Sequence, residues 1–290
     1  MNKTDSLIKS KRAVIAYPRK FNSTLKKIIL DGPEKLHILA DFDRTLTCAY
    51  VNGRRAPSLI YTLMDENLLT PDYPDKARRL YEKYHRLEIS PRLPFATKKK
   101  AMREWWTKHF RLLIESGLSK SIIEKAVSSK NVKLRPGAKK FLHHLKKYKI
   151  PLVIMSSSGI GHESIACFLR HHRLFSKNIF IISNNFIWDK KGRARGIIKP
   201  IIHSLNKKEI LVKNLPFFKN IKDRKNVLLL GDHAHDTEMI TGFDYDNLIK
   251  IGFLNEHIMP SLKIYKKVFD VVILNDGTFG IVNKLIKKIL

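Results

Sequence analysis

The chain has 290 residues, 56 of them Lys or Arg and 26 Asp or Glu, so its formal charge is +30, and 43 % of its residues are hydrophobic. Length and apolar content together allow a large buried core and exclude intrinsic disorder. Two cysteines, Cys48 and Cys167, exclude a disulfide framework, the stretch from Met1 to Lys20 lacks the apolar run of a secretory signal, and no apolar run reaches the roughly 20 residues that span a bilayer.

A globular protein of a reducing, cytoplasmic setting is therefore expected, with no membrane partner. The charge is scattered in short groups such as Lys98-Lys99-Lys100 and Lys146-Lys147, without a basic tail or a basic–aromatic repeat. That distribution predicts a solvated basic surface ahead of a dedicated nucleic-acid site.

In chain order, the Ile/Val/Leu-rich run 36–40 predicts a first buried strand ending at Asp41. Residues 50–131 then break the pattern. Helix-like stretches at 81–84, 102–114 and 121–127, with prolines at 71, 74, 91 and 94 marking turns, predict an all-helical insertion. Strand and helix alternate from there on: helix 137–148, strand 150–155, helix 162–171 and strand 179–182. A hairpin of 186–188 with 194–198 around Lys190-Lys191-Gly192 follows, then helix 207–215, strand 227–230, helix 237–242, strand 248–251, helix 256–267, strand 271–274 and helix 277–289. The alternation predicts an α/β fold, doubly wound around a mainly parallel, Rossmann-like sheet. Residues 1–49 and 132–290 would form this core, with 50–131 as a separate helical unit.

Chemistry-bearing residues stand where strands end. In open parallel sheets ligands bind beyond the carboxyl ends of the strands, and the first strand runs into Asp41-Phe42-Asp43-Arg44-Thr45. Alternation puts the Asp41 and Asp43 side chains on one side of the backbone, which suits a nucleophile and an acid/base partner. Taken alone, a bare Asp-x-Asp favours a turn or helix cap. The second strand ends at Ser156-Ser157-Ser158-Gly159-Ile160-Gly161, a turn into a helix whose free amides make an anion site. Lys207, in Asn206-Lys207-Lys208-Glu209, offers a fixed cation, and Gly231-Asp232-His233-Ala234-His235-Asp236 adds two carboxylates at the same sheet edge.

Four such stations in this order resemble the haloacid dehalogenase-type phosphohydrolases. The segments DFDRTLT, KYHRLEISP, REWWTKH, SSSGIG, GIIKPIIHSLNKKE, LLLGDHAHDTEM and LIKIGFLN resemble the pyrimidine 5'-nucleotidase family within that superfamily, the cytosolic 5'-nucleotidase III type. The resemblance spans about residues 36–254, with a similar closing strand and helix beyond.

The resemblance implies that Asp41 is the nucleophile and that Asp43 is the general acid and base. It implies a Mg²⁺ ion held by Asp41, the Asp43 carbonyl and Asp232, supported by Asp236 from behind. Ser157 with the amides of Ser158 and Gly159 would grip the phosphate, and Lys207 would neutralise charge. Ser156 is an alternative to Ser157, and Lys199 an alternative to Lys207. The insertion would be a cap over the substrate, with Glu88 reading the base and Trp105 or Trp106 stacking on it. Adjacent helical residues point about 100° apart, so one indole is expected on the base and the other in the core. His233 and His235, where relatives carry small or polar residues, would admit Mn²⁺ but are expected to face solvent.

The expected function is a Mg²⁺-dependent phosphohydrolase of UMP and CMP, working through an aspartyl phosphate, as a monomer or weak dimer. Within the same chemistry the alternative is another small phosphomonoester such as 7-methylguanosine monophosphate. The alternative of a different class is a basic nucleic-acid-associated protein.

Overall fold

The computed structural model describes residues 12–90, 92–209 and 212–290. Its centre is a seven-stranded sheet assembled from β1 (Ala13–Ile15), β2 (Leu36–Ala40), β5 (Leu152–Met155), β6 (Ile179–Ile182), β9 (Asn226–Gly231), β10 (Asn247–Leu254) and β11 (Val271–Leu274), in the order β1-β11-β10-β9-β2-β5-β6. All neighbours pair in parallel except β1, which runs antiparallel to β11.

The alternation of strand side chains explains why both faces are covered. Ile38, Ile154 and Leu228 turn to one core, while their chain neighbours Leu39, Val153 and Leu229 turn to another. The first core is closed by α1 (Pro18–Asp31), α6 (Ala138–Lys147), α7 (Gly161–His171) and α9 (Gly280–Ile289). The second is closed by α8 (Ile258–Val268) and by short 3₁₀ segments. This is the doubly wound α/β core expected from the alternation.

Several elements differ from the sequence expectation. β1 and α1 were not foreseen: β1 has three half-buried residues, and the apolar positions of α1, Phe21, Leu25 and Ile28, sit among lysines. Residues 207–215 do not form one α-helix. The described part consists of 3₁₀ turns at Lys207–Glu209 and Val212–Asn214, and residues 210 and 211 lie outside the described residues. Pro216 contributes, because the residue before a proline is pushed out of the α region. The expected helix 237–242 is a 3₁₀ segment, Ala234–Gly242, started three residues earlier by a reciprocal cap between His233 and Asp236.

Between β2 and β5 the chain first makes a hairpin of β3 (Tyr50–Val51) and β4 (Arg54–Arg55), so the insertion is not wholly helical. Helices α2 (Leu59–Asp65), α3 (Tyr73–Ile89), α4 (Phe95–Glu115) and α5 (Lys120–Val127) follow, with α3 packed along α4. Pro74 lies in the first turn of α3, where its missing N–H costs nothing. Pro71 precedes that helix, Pro94 caps α4, and Pro91 lies outside the described residues. The hairpin of β7 (Asn185–Trp188) and β8 (Ala194–Ile198) touches α4, and Ser119 bridges to Arg193. These contacts lean the inserted helices over the carboxyl edge of the sheet.

Candidate active site

Beyond Ala40 the chain continues along β9, with Asp41 N donating to Leu230 O at 3.0 Å. This brings the Asp41 carboxylate, almost fully buried, to the loop that follows β9. Lys207 Nζ donates to Asp41 Oδ1 at 2.6 Å and to Asp236 Oδ1 at 2.8 Å. The other Asp236 oxygen accepts from the amides of Asp232, at 3.1 Å, and His233, at 2.9 Å. Gly231 is required there, because a Cβ on it would lie 2.5 Å from Asp236 Cβ.

One oxygen from each of Asp41, Asp232 and Asp236 lies within 4.8 Å of the others. Three carboxylates thus face a single ammonium. Burial pushes Asp41 up to about 7, the charges of Asp236 and Asp43 adding to the rise and Lys207 opposing it. Burial also raises Asp43, to about 6, against the pull of Arg44 and Lys207. Asp232 is raised well above the ordinary carboxylate range by burial and by its neighbours Asp236 and Asp41. Burial alone would depress Lys207, but Asp236 and Asp41 hold its ammonium above the ordinary value. Such an excess of buried oxygen donors fits a hard divalent cation.

The turn after β5 carries the hydroxyls. Ser156 Oγ accepts from Ser158 N at 3.2 Å, and Ser158 Oγ pairs with Ser164 Oγ at 3.2 Å. Ser157, Ser158 and Gly159 line a cavity of about 390 Å³ that Asp43 also borders. Ser156 is therefore engaged inside the turn, while half-buried Ser157 stands on the cavity wall. Lys199 lines a different cavity, beside Pro200 and Phe217, and does not join the carboxylates.

The far wall of the first cavity comes from the inserted helices. Glu88 Oε1 accepts from Ser204 Oγ at 2.6 Å, and its other oxygen lies 3.4 Å from His85 Nδ1. Trp105 and Trp106 both border the cavity, and Trp105, 8 % exposed, is at the same time part of a packed core cluster. Their rings stack on each other, with centroids 5.5 Å apart and planes 16° apart. Trp105 also packs on Tyr84 and Met102, and its buried Nε1 has no partner. Trp106 presses on the turn after β5: a Cβ at Gly159 would meet its ring at 2.8 Å.

His233 is exposed and stacks on half-exposed His235, their centroids 5.2 Å apart. The candidate cation group among the described residues contains carboxylates alone.

Sequence reasoning missed Arg135. It is 1 % exposed and donates through Nε to Thr45 O at 2.9 Å and through Nη1 to Asp276 Oδ1 at 2.7 Å and Gly277 O at 2.8 Å. Its Nη2 donates to Arg44 O and to Asn255 Oδ1. It thus fixes the backbone that follows Asp43 to the loops after β10 and β11. Tyr265, whose hydroxyl donates to Asp232 O, does the same for the loop after β9. Neither carries a sequence signal that separates it from the other cations and aromatics.

The family model described as "Pyrimidine 5'-nucleotidase (UMPH-1)" matches residues 44–290. The human protein named 7-methylguanosine phosphate-specific 5'-nucleotidase is 33 % identical over 260 residues, 89 % of this chain and 86 % of that one. A crystal structure of cytosolic 5'-nucleotidase IIIB bound to cytidine superposes with a TM-score of 0.87 at 25 % identity, covering 100 % of this chain and 97 % of the other. An apo phosphoserine phosphatase, 18 % identical, shares the fold at a TM-score of 0.51, over 86 % of this chain and 97 % of its own.

Proposed function

The chain belongs to the pyrimidine 5'-nucleotidase family, and from that premise we propose that this 5'-nucleotidase is a Mg²⁺-dependent nucleoside 5'-monophosphatase whose base pocket favours 7-methylguanosine monophosphate. The observation that carries the base preference is the pair of stacked indoles on the cavity wall beside the Glu88 carboxylate. Methylation at N7 leaves guanine with a positive charge. Aromatic faces attract a desolvated cation, and a carboxylate accepts from the ring N–H and the exocyclic amine.

In this reading an Asp41 oxygen attacks phosphorus, and the bond from phosphorus to the ribose 5'-oxygen breaks. Asp43, whose proton affinity is raised to about 6, donates to the departing oxygen. It then takes a proton from the water that hydrolyses the aspartyl phosphate. Lys207 orients Asp41 and neutralises charge on the phosphoryl group. The Ser157 hydroxyl and the amides of Ser158 and Gly159 hold its oxygens. Mg²⁺, or Mn²⁺ in its place, would be held by Asp41, Asp232 and the Asp43 carbonyl, and it supplies further neutralisation of the phosphoryl oxygens. Asp236, occupied by Lys207 and two amides, steadies that arrangement. The inserted helices act as a cap that keeps bulk water from the intermediate.

A second reading, preference for CMP and UMP, is favoured by the family description and by the cytidine-bound relative. The test is kcat/KM for 7-methylGMP, GMP, CMP and UMP, with Mg²⁺ and with a chelator. A preference of about tenfold or more for 7-methylGMP over GMP is expected. Equal rates on those two would overturn the base assignment, and metal-independent turnover would overturn the mechanism. Among the described residues no helix is long and apolar enough to cross a membrane, and the proposed working place is the cytoplasm.

A further inference from the structure

The charge of +30 is not consumed by the site, where acids outnumber the single buried lysine. Part of it is gathered on one layer. Helices α1, α9 and α6 lie side by side over the sheet, α9 between the other two. Neither α6 nor α9 contains an acidic side chain, and the one acid of α1, Asp31, accepts from Asn226 Nδ2 at 3.0 Å. Lys26 and Lys27 of α1, Lys284 and Lys288 of α9, and Lys140 and Lys147 of α6 are all exposed. Lysines that do form ion pairs stand elsewhere, among them Lys76, Lys108, Lys207, Lys208, Lys213 and Lys225. Protonation of half-buried His144 is disfavoured by burial and then by Lys140, Lys147, His143 and Lys287, so α6 and α9 share one positive field.

Apolar side chains stand in the same layer. Leu30 is 76 % exposed and Ile29 36 %. Leu30 lies four residues after Lys26 and three after Lys27, on the same stripe of α1.

We propose that the α1–α9–α6 layer docks on an anionic bilayer surface, with the lysines at the headgroups and Leu30 and Ile29 inserted at the acyl boundary. The layer suits a planar partner. Three helices at the usual 8–10 Å spacing make a face roughly 20 Å wide. Packed flank to flank, none of them stands free to enter a nucleic-acid groove. The one phenyl ring of α6, Phe141, is buried, and α9 has no aromatic residue, so neither helix offers a phenyl, phenol or indole face to a base.

The test is sedimentation of the full chain with vesicles of pure phosphatidylcholine and of phosphatidylcholine with phosphatidylserine, at low and at physiological salt. Binding to the serine-containing vesicles alone is expected, weakening as salt rises. Changing Lys26, Lys27, Lys140, Lys147, Lys284 and Lys288 to Gln should lower that affinity by about a hundredfold or more, since each lysine contributes about fivefold. The same number of changes elsewhere on the surface, Lys125, Lys130, Lys190, Lys191, Lys219 and Lys222 to Gln, should lower it by less than tenfold. Leu30→Ser should weaken binding at every salt concentration. Both lysine variants should keep the wild-type Tm and nucleotidase rate, because none of these residues borders the active site. Equal binding to neutral vesicles, equal loss in the two lysine variants, or displacement from the vesicles by an equal phosphate concentration of duplex DNA would overturn the proposal. The nucleotidase reading stands or falls separately.

Discussion

Lys207 Nζ lies 2.6 Å from Asp41 Oδ1 across 166 residues of sequence, and the same ammonium holds Asp236 at 2.8 Å. Two buried acids therefore share one buried cation. Removing that cation leaves two carboxylates facing each other out of water, a loss of about 3–5 kcal/mol when a buried pair is broken.

Asp41→Asn keeps the shape of the side chain but cannot form an acyl phosphate. Turnover should vanish while the melting transition persists, and no labelled phosphoenzyme should be trapped from a labelled nucleotide. Lys207→Met should both lower the melting temperature and cut kcat by about 10²–10³, the usual consequence of deleting one charge-stabilising donor. Retained phosphatase activity in Asp41→Asn would remove that residue from the chemistry.

Arg135 should behave as the fastener of the loop that follows Asp43. Arg135→Met leaves Thr45 O and Gly277 O without their donor and the Asp276 carboxylate with only the amides of Ala49 and Tyr50. A loss of about 3–5 kcal/mol in chemical denaturation is expected. Arg135→Lys should recover part of it, because an ammonium can serve one side of this fork but not both.

Gly159 joins the turn after β5 to the inserted helices. Its Cβ position lies 2.3 Å from Ile60 Cδ1 and 2.8 Å from Trp106, so Gly159→Ala must push both away. Overpacking of this kind costs about 1–3 kcal/mol. A fall in kcat/KM should accompany it, since the cap side is moved off the turn. Adding Ile60→Val, which deletes the nearer atom, should restore part of the rate.

His37 should contribute to acid sensitivity of the fold. Burial lowers its pKa from 6.5 to about 4, and Nδ1 lies 2.7 Å from Arg224 O while Nε2 is buried without a partner. The unfolded chain thus binds the proton more readily than the folded one. Stability should be complete above about pH 6.5 and decline as pH falls toward about 4, by up to about 3 kcal/mol from this group. His109, lowered to about 4 by burial, adds to the same window. Because the raised carboxylates of Asp41 and Asp43 act the other way, the measure is the difference: from pH 6.5 to 4 the melting temperature of His37→Asn should rise relative to that of the parent chain.

Much of the core was readable from local pattern. The strands at Leu36–Ala40, Ile179–Ile182 and Val271–Leu274 have the bounds that apolar runs suggest, because a strand covered on both faces stays mostly apolar until it ends, His37 being the one polar side chain within these three. Residues 207–215 and 234–242 were not readable. Their apolar spacing is compatible with an α-helix, and what decides against one is where each segment must deliver Lys207 and Asp236. β1 and α1 were hidden for another reason, since a short half-buried strand and a lysine-flanked helix differ little from loop sequence.

At the site, the acids after β2 and β9 and the small-residue turn after β5 were evident from order along the chain, since in a parallel sheet strand ends collect at one edge. Which hydroxyl of Ser156-Ser157-Ser158 faces the cavity depends on a hydrogen bond made two residues away. Which lysine enters the cluster depends on chain path, as Lys199 and Lys207 differ by a cavity and not by composition. Sequence alone determined the class of chemistry, because residue types and their order survive any folding. Only the tertiary structure decided the partners of Arg135, the shared wall of Trp105 and Trp106, and the gathering of lysines on one layer, because these rest on distances between segments that the chain brings together only when its cores are buried.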